Sequence, residues 1–156
     1  YLKICIKYDI PVAYHTGGGP PMSVYLNSPE LRIKNGDPLL IEDVLARYPK
    51  LRIYLMHAGE MYYDHALRMM NLYQQLYVDI GVLLWADPMV QDYGVNFLRK
   101  AKEYRMLDRV MFGSDQMVWP GAISKSIEFL NSLDFLTSEE KQMILYDNAK
   151  TFLKLE

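Results

Sequence analysis

The chain has 156 residues, 51% of them hydrophobic, and a formal net charge of −2 at pH 7. This composition is typical of a globular domain and excludes a disordered chain. The near-neutral charge provides no clustered basic face, so we expect no nucleic-acid partner. No apolar run approaches the roughly 20 residues needed to span a bilayer, so we expect no membrane partner.

Cys5 is the only cysteine, which excludes an intrachain disulfide. A single cysteine fits a reducing compartment, and we expect a cytoplasmic location. The chain starts at Tyr1 instead of a methionine, and its first eight residues have the pattern of a helix end. We therefore expect residues 1–156 to be a single domain, or a domain fragment, that begins inside a larger protein.

Four short apolar segments predict buried strands, because β-branched and aromatic residues dominate each of them. They are Pro11–Thr16, Leu51–His57, Leu76–Ile80 and Arg109–Ser114. Apolar residues recur at helical spacing in the intervening segments. The predicted helices are Leu39–Tyr48, Glu60–Gln75, Met89–Tyr104 and Ile123–Leu133, with a terminal helix over residues 137–154. Thr137 and Glu140 form a capping-box pattern at the start of that last helix.

The alternation of strands and helices predicts an α/β fold with parallel strands and right-handed crossovers. A TIM-barrel unit takes about 31 residues, so we expect about four βα units of the (β/α) TIM-barrel type, or half a barrel. Four strands cannot close an eight-stranded barrel. Either a preceding half is missing, or two copies of the chain assemble one barrel as a homo-oligomer. A small doubly wound sheet fits the same element order.

The stretch Gly17–Gly36 (GGGPPMSVYLNSPELRIKNG) is long for a connection and rich in turn-forming residues. Loops of this length are usually functional or disordered. Its position directly after His15 favours a lid or pocket wall, and a surface insertion is the alternative.

Polar side chains end three of the predicted strands. His15 and His57 end the first two, and Asp115 follows the last. In parallel α/β folds the C-terminal strand ends line one binding mouth. Two imidazoles and a carboxylate suit zinc, and also iron or manganese, and a carboxylate can accept a proton from an activated water. We predict His15, His57 and Asp115 as metal ligands.

For other polar and aromatic residues we predict substrate-binding or structural roles. Trp119 and Tyr62 follow strand ends and are candidate substrate-binding residues, although packing under loops is the alternative. We expect Asp79 to be a buried residue bonded to loop amides. Glu60 is expected to begin the following helix, where a carboxylate suits the helix dipole. We assign His65 to a helix surface.

Five segments together resemble the C-terminal half of the amidohydrolase superfamily, in the amidohydrolase-2 branch. They are PVAYHTG, ARYPKLRIYLMHAGE, LYVDIG, LDRVMFGSDQMVWP and ILYDNAKTFLKL. That branch includes aminocarboxymuconate-semialdehyde decarboxylase, related aromatic-acid decarboxylases and lactone hydrolases. The most specific piece is FGSD with its trailing WP.

The resemblance implies a role for each strand-end residue. His15 matches a metal ligand, and His57 matches a histidine that lies at the metal or polarises the substrate. Asp115 matches the metal-proximal general base, so Asp115 and His57 are the expected catalytic residues. Asn148 matches the residue that fixes the terminal helix. The family's His-x-His pair is missing from this chain, which has three histidines in all.

The leading hypothesis is a metal-dependent hydrolase that cleaves a C–N or C–O bond of a small-molecule substrate with activated water. The alternative on the same site is nonoxidative decarboxylation of an aromatic or unsaturated acid, for which Arg32 and Lys34 are candidate recognition residues. A third hypothesis is a non-catalytic half-barrel. A nucleotide-binding domain is disfavoured, because GGGPP is not a phosphate-binding motif.

Overall fold

The computed structural model describes residues 1–117 and 119–156. Within that part of the chain, four parallel strands form one sheet in the order β1-β2-β3-β4. They are β1 (Val12–His15), β2 (Ile53–Met56), β3 (Leu76–Asp79) and β4 (Val110–Met111). A doubly wound sheet reverses its strand order at a switch point, whereas a TIM barrel keeps the order of the sequence. The chain therefore has the α/β architecture of part of a TIM barrel.

Helices connect and follow the strands. In the described part of the chain they are α1 (Leu2–Lys7), α2 (Ser23–Leu26), α3 (Glu42–Arg47), α4 (Tyr63–Leu72), α5 (Pro88–Glu103), α6 (Gly121–Ser132), α7 (Ser138–Gln142) and α8 (Asn148–Leu153). A π-helical turn, Met143–Asp147, joins α7 to α8. Shorter 3₁₀ turns lie at Ile33–Gly36, Pro38–Ile41, His57–Tyr62 and Leu107–Arg109. None of the helices described here is long and apolar enough to cross a membrane.

Two helices begin later than the apolar spacing predicts. The segments that open them, Pro38–Ile41 and His57–Tyr62, form 3₁₀ turns instead of the first turns of α3 and α4. In the first case the Asp37 carboxylate accepts the Leu39 N–H at 2.9 Å and caps the 3₁₀ turn. At the other end of the chain, Thr137 and Glu140 form the predicted capping box.

The two faces of the sheet differ in exposure. Ile53 and Leu55 of β2 are buried, and in register with them Leu76 and Val78 of β3 are buried as well. These side chains pack with the helices in the main apolar core. The other face carries Tyr54 and its register neighbours Ala13 and Tyr77. Phe152 of α8 covers the base of that face, with its ring 5.6 Å from Tyr54 and 4.9 Å from Tyr77.

The fourth strand is shorter than predicted, because its pairing with β3 ends at Met111. The C-terminal helices bond to the outer edge of this segment. The Phe112 N–H donates to the Ile144 carbonyl at 2.7 Å. The Asn148 side-chain amide donates to the carbonyls of Val110 and Leu107, both at 2.7 Å. Asn148 therefore fixes the terminal helix against the sheet, as the resemblance implies.

We predict that Asn148→Ala lowers the free energy of unfolding by about 2 kcal/mol, because it removes the two side-chain hydrogen bonds to the buried carbonyls of Leu107 and Val110. Urea unfolding would measure the change. Asn131→Ala is the matched control, because Asn131 is exposed on α6, and a change within about 0.5 kcal/mol is expected. Equal effects of the two variants would contradict the anchoring role.

Candidate active site

The C-terminal ends of the strands set the positions of the candidate site residues. His15 of β1 lies opposite Met56 of β2. The register of β2 with β3, in which Leu55 lies opposite Val78, puts Met56 level with Asp79. Side chains of residues in register share a face of the sheet. His15 and Asp79 therefore belong to the same row on the open face.

His57 joins this row only because the chain leaves the strand conformation at that residue. Successive side chains of a strand alternate between faces, so an extended His57, next to Met56, would point toward the helices. Instead His57 has a left-handed φ of 63°. Its imidazole then lies 4.9 Å from that of His15, ring centre to ring centre, with the rings at 76°.

Asp79 holds His57 in this turn. One carboxylate oxygen, Oδ1, accepts the backbone N–H of His57 at 3.0 Å and that of Gly81 at 2.8 Å. The Nδ1 atom of His57 lies 3.0 Å from the Gly81 carbonyl oxygen, which can only accept a hydrogen bond. Nδ1 is therefore assigned the proton, and Nε2 is left as the atom that can bind a ligand.

The turn after β2 is strained over four consecutive residues. His57, Ala58, Gly59 and Glu60 have φ values of 63°, 46°, 83° and 50°. Conformations of this kind cost about 1–3 kcal/mol each for residues other than glycine, and they persist where surrounding contacts hold them. One such contact is the buried Thr16 hydroxyl, which accepts the Gly59 N–H at 3.0 Å and donates to the Met56 carbonyl.

Asp115 lies beside His57. Its backbone also has a left-handed φ, of 53°. The Cβ of Asp115 and the Nδ1 of His57 both lie 3.4 Å from the point that a Cβ would occupy on Gly81. Asp115 and His57 therefore both border Gly81, at ordinary contact distance from that point.

The predicted metal ligands lie near one another but are not arranged to coordinate an ion. Across residues 1–117 and 119–156, no group of three or more His, Cys, Asp or Glu side chains is arranged to hold a metal ion. The structure brings His15 next to His57 and places Asp115 beside His57. The ligand role of these three residues stays a prediction.

Electrostatic coupling links the members of the row. Partial burial lowers the pKa of His15, the neighbouring His57 lowers it further, and the Asp115 carboxylate opposes both effects. His15 is therefore neutral at pH 7, the form that binds metals. Burial raises the pKa of Asp79, against the hydrogen bonds from the amides of His57 and Gly81.

The two predicted substrate-binding residues have different neighbours. Trp119 is 48% exposed and packs edge-on against Trp85, with ring centres 5.9 Å apart. Trp85 in turn donates its indole N–H to the Ser114 carbonyl at 2.8 Å, next to Asp115. Tyr62 stacks on His65 at 5.7 Å. Whether either residue contacts a substrate stays a prediction.

Contacts settle the expectations for Asp79 and His65, whereas substrate recognition by Arg32 stays a prediction. Asp79 is bonded to loop amides, as predicted. His65 lies on α4 and contacts Asp37 through Nδ1 at 2.9 Å, in agreement with a surface role. The guanidinium of Arg32 donates to the Pro29 and Leu31 carbonyls of its own loop.

The expectation for Glu60 is wrong. It lies in the strained turn before α4, with φ 50° and ψ −117°, and does not begin a helix. Its carboxylate instead accepts the N–H of Gly18, from the loop that follows β1. Sequence reasoning also missed Thr16. The one available signal was its position between His15 and the glycine run.

A family model matches nearly the whole chain. The amidohydrolase family model Amidohydro_2 matches residues 1–155. Among curated proteins, none matches the chain at a significant level.

Solved structures share the fold. A TIM-barrel protein from Bordetella bronchiseptica is 23% identical, with a TM-score of 0.73, and the match covers 98% of this chain and 48% of that one. A zinc-bound amidohydrolase from Burkholderia multivorans is 18% identical, with a TM-score of 0.56 and coverage of 74% and 48%. A 2,6-dihydroxybenzoate decarboxylase in complex with 2,6-dihydroxybenzoate is 16% identical, with a TM-score of 0.60 and coverage of 97% and 53%. The chain thus spans about half the length of these structures.

We predict that Asp115→Asn lowers the pKa of His15 further, because it removes the negative charge that favours the imidazolium. Histidine NMR titration of the metal-free protein would measure the midpoint. Asp108→Asn is the control, since Asp108 is exposed in the turn before β4. An unchanged His15 midpoint in Asp115→Asn would show that the two side chains do not face each other.

We predict that Asp79→Asn gains stability relative to the native protein as the pH rises. The folded-state pKa of Asp79 is raised, so its contribution to stability is greatest below the unfolded value of about 3.9 and is lost as the pH rises through the folded pKa. Asparagine retains an acceptor oxygen but does not titrate. Urea unfolding at about pH 4 and pH 7 would give the difference.

The exposed Asp134→Asn serves as the control for that comparison, because its carboxylate lies outside the site. If the free energies of unfolding of the native protein and Asp79→Asn differ by the same amount at both pH values, the pKa of Asp79 is not raised in the folded protein and the prediction is wrong.

Proposed function

This chain belongs to the amidohydrolase family, and from that premise we propose that it contributes His15, His57 and Asp115 to a metal-dependent active site. The proposed reaction is hydrolysis of a C–N or C–O bond in a small molecule. The observation that carries the proposal is the convergence of two imidazoles, 4.9 Å apart, at strand ends beside a carboxylate.

The donor chemistry of the row suits a divalent metal. His15 is held neutral, and His57 keeps Nε2 free because its Nδ1 is engaged by the Gly81 carbonyl. Neutral imidazoles and a carboxylate are ligands for zinc, and also for iron or manganese. We propose zinc first, because a family structure from Burkholderia multivorans has it bound. Such an ion, when bound, supplies Lewis acidity.

The chain's own residues supply proton transfer and orientation. Asp115 is proposed as the general base that accepts a proton from the attacking water. His57 is fixed by Asp79 at its backbone and by Gly81 at Nδ1. Its Nε2 can therefore serve as a ligand when neutral, or donate to the substrate oxygen when protonated. Trp119 and Tyr62 are proposed to contact the substrate.

The site requires donors from outside these residues. The three proposed ligands are not arranged to hold an ion in the described part of the chain, and a catalytic zinc site needs at least three protein ligands in place, with water in the fourth position. We propose that a further half-barrel completes it, either as a preceding segment or as a second copy. The open edge of β1 supports this, because Ala13 and His15 direct their backbone groups away from β2.

We predict that His15→Ala lowers the metal content of protein prepared without chelators and reduces kcat/KM by at least about 100-fold. The reason is the loss of a direct ligand, because removing even outer-shell partners costs about 10–100-fold. Metal analysis by mass spectrometry and a screen of lactones, amides and aromatic acids would give the two readouts. His65→Ala is the matched control for the metal content, because His65 lies on the α4 surface.

The products separate the candidate reactions. Release of an acid with uptake of water supports the hydrolase, whereas release of carbon dioxide identifies a decarboxylase on the same residues. Absence of stoichiometric metal, together with equal behaviour of His15→Ala and the native protein, would contradict the proposal and favour a non-catalytic half-barrel. Light scattering on the same sample shows whether a second copy is present.

A further inference from the structure

The two ends of the long loop after β1 are in direct backbone contact. We call residues Gly17–Gly36 the entrance loop. The Gly17 N–H donates to the Gly36 carbonyl at 2.9 Å. A Cβ on Gly36 would lie 1.9 Å from the Gly17 carbonyl oxygen, so a side chain could not fit there. The base of the entrance loop is therefore narrow, and it begins two residues after His15.

Glu60, in the turn that follows β2, contacts the base of the entrance loop. Its Oε2 accepts the Gly18 N–H at 2.5 Å. A Cβ on Gly17 would lie 2.6 Å from the Cβ of Glu60, so the two segments can pack this closely only with glycine at position 17. Thr16 makes a parallel connection by accepting the Gly59 N–H. The entrance loop is thus bonded to the turn that carries His57.

The backbone of Glu60 is unfavourable for the residue that occupies it. A φ of 50° with a ψ of −117° lies outside the regions that residues with a side chain usually adopt. Glycine would take this conformation with less strain. Strained residues persist where contacts hold them, and they cluster at functional sites. The carboxylate of Glu60 accepts a hydrogen bond from Gly18, which a glycine at position 60 could not do.

We propose that Glu60 is a positioning residue that latches the entrance loop beside His15 and His57. The latch is the charge-assisted hydrogen bond from the Gly18 N–H to the Glu60 carboxylate, with the glycines at the loop base allowing the close approach. The name entrance loop rests on the proposed function, because it takes the strand ends to be the active site. The contact itself does not depend on that function.

Glu60→Gly separates the latch from the fold. It removes the acceptor and also relieves the backbone strain, so we expect the melting temperature to stay the same or rise. The Gly18 amide should exchange with solvent about tenfold faster or more, because a hydrogen bond to a charged acceptor is lost. Limited trypsin digestion after Arg32 or Lys34, the basic residues of the entrance loop, should accelerate as well.

Two further variants test the mechanism. Glu60→Gln keeps a side-chain oxygen that can accept the Gly18 N–H, so it should restore most of the protection. Ala58→Gly is the matched control, because Ala58 shares the strained turn, with φ 46°, but makes no bond to the entrance loop. It should leave exchange at Gly18 and cleavage in the loop at native rates.

The proposal is overturned if Glu60→Gly leaves Gly18 exchange and loop cleavage unchanged. It is also overturned if Ala58→Gly releases the loop equally, or if release only follows a global loss of stability. Both readouts are independent of metal and turnover. If the native protein has no activity and Glu60→Gly releases the loop, the latch is supported and the proposed function is rejected. If the native protein is active and Glu60→Gly leaves the loop unaffected, the proposed function is supported and the latch is rejected.

Discussion

The candidate site depends on one backbone reversal, the left-handed turn at His57. Strand alternation would direct His57 toward the helices, away from His15. The φ of 63° returns the imidazole to the open face, next to His15. The turn is maintained by Asp79, whose carboxylate accepts the His57 and Gly81 amides. Strain in the turn is thus balanced by hydrogen bonds to a buried carboxylate, an arrangement that is expected where geometry serves chemistry.

The two edges of the sheet have different roles. The outer edge of β4 is bonded to the C-terminal helices through Asn148 and the Ile144 carbonyl, and Phe152 covers the base of the open face. The β1 edge has no such cover among residues 1–117 and 119–156, and His15 lies on it. The open edge and the incomplete ligand set therefore occur on the same side of the sheet. A further half-barrel on that side would complete both.

Much of the fold could be predicted from the sequence. The four buried strands are short, apolar and separated by helical patterns, and these features determine the parallel architecture. The end of β4 could not be predicted, because it depends on where β3, which is distant in sequence, stops pairing with it. Likewise, the late start of α4 depends on a left-handed turn that hydrophobic spacing does not encode.

The sequence could predict where the candidate site residues lie along the chain, whereas their roles stay a prediction. His15, His57 and Asp115 stand out because polar side chains end apolar strands. Sequence alone could not show on which face His57 lies, because strand alternation gives the opposite answer. The bond between Glu60 and Gly18 was also hidden, because the glycine and the carboxylate are far apart in the chain and each has an ordinary local explanation.

The central claim is that the left-handed turn places the His57 imidazole against that of His15. A nuclear Overhauser measurement between the ring protons of these two histidines, in the folded protein with isotope-labelled histidine, tests it most directly. The account predicts a cross-peak between the two rings, whose centres lie 4.9 Å apart. Contacts from the His57 ring to core residues of the helices, without a cross-peak to His15, would contradict it.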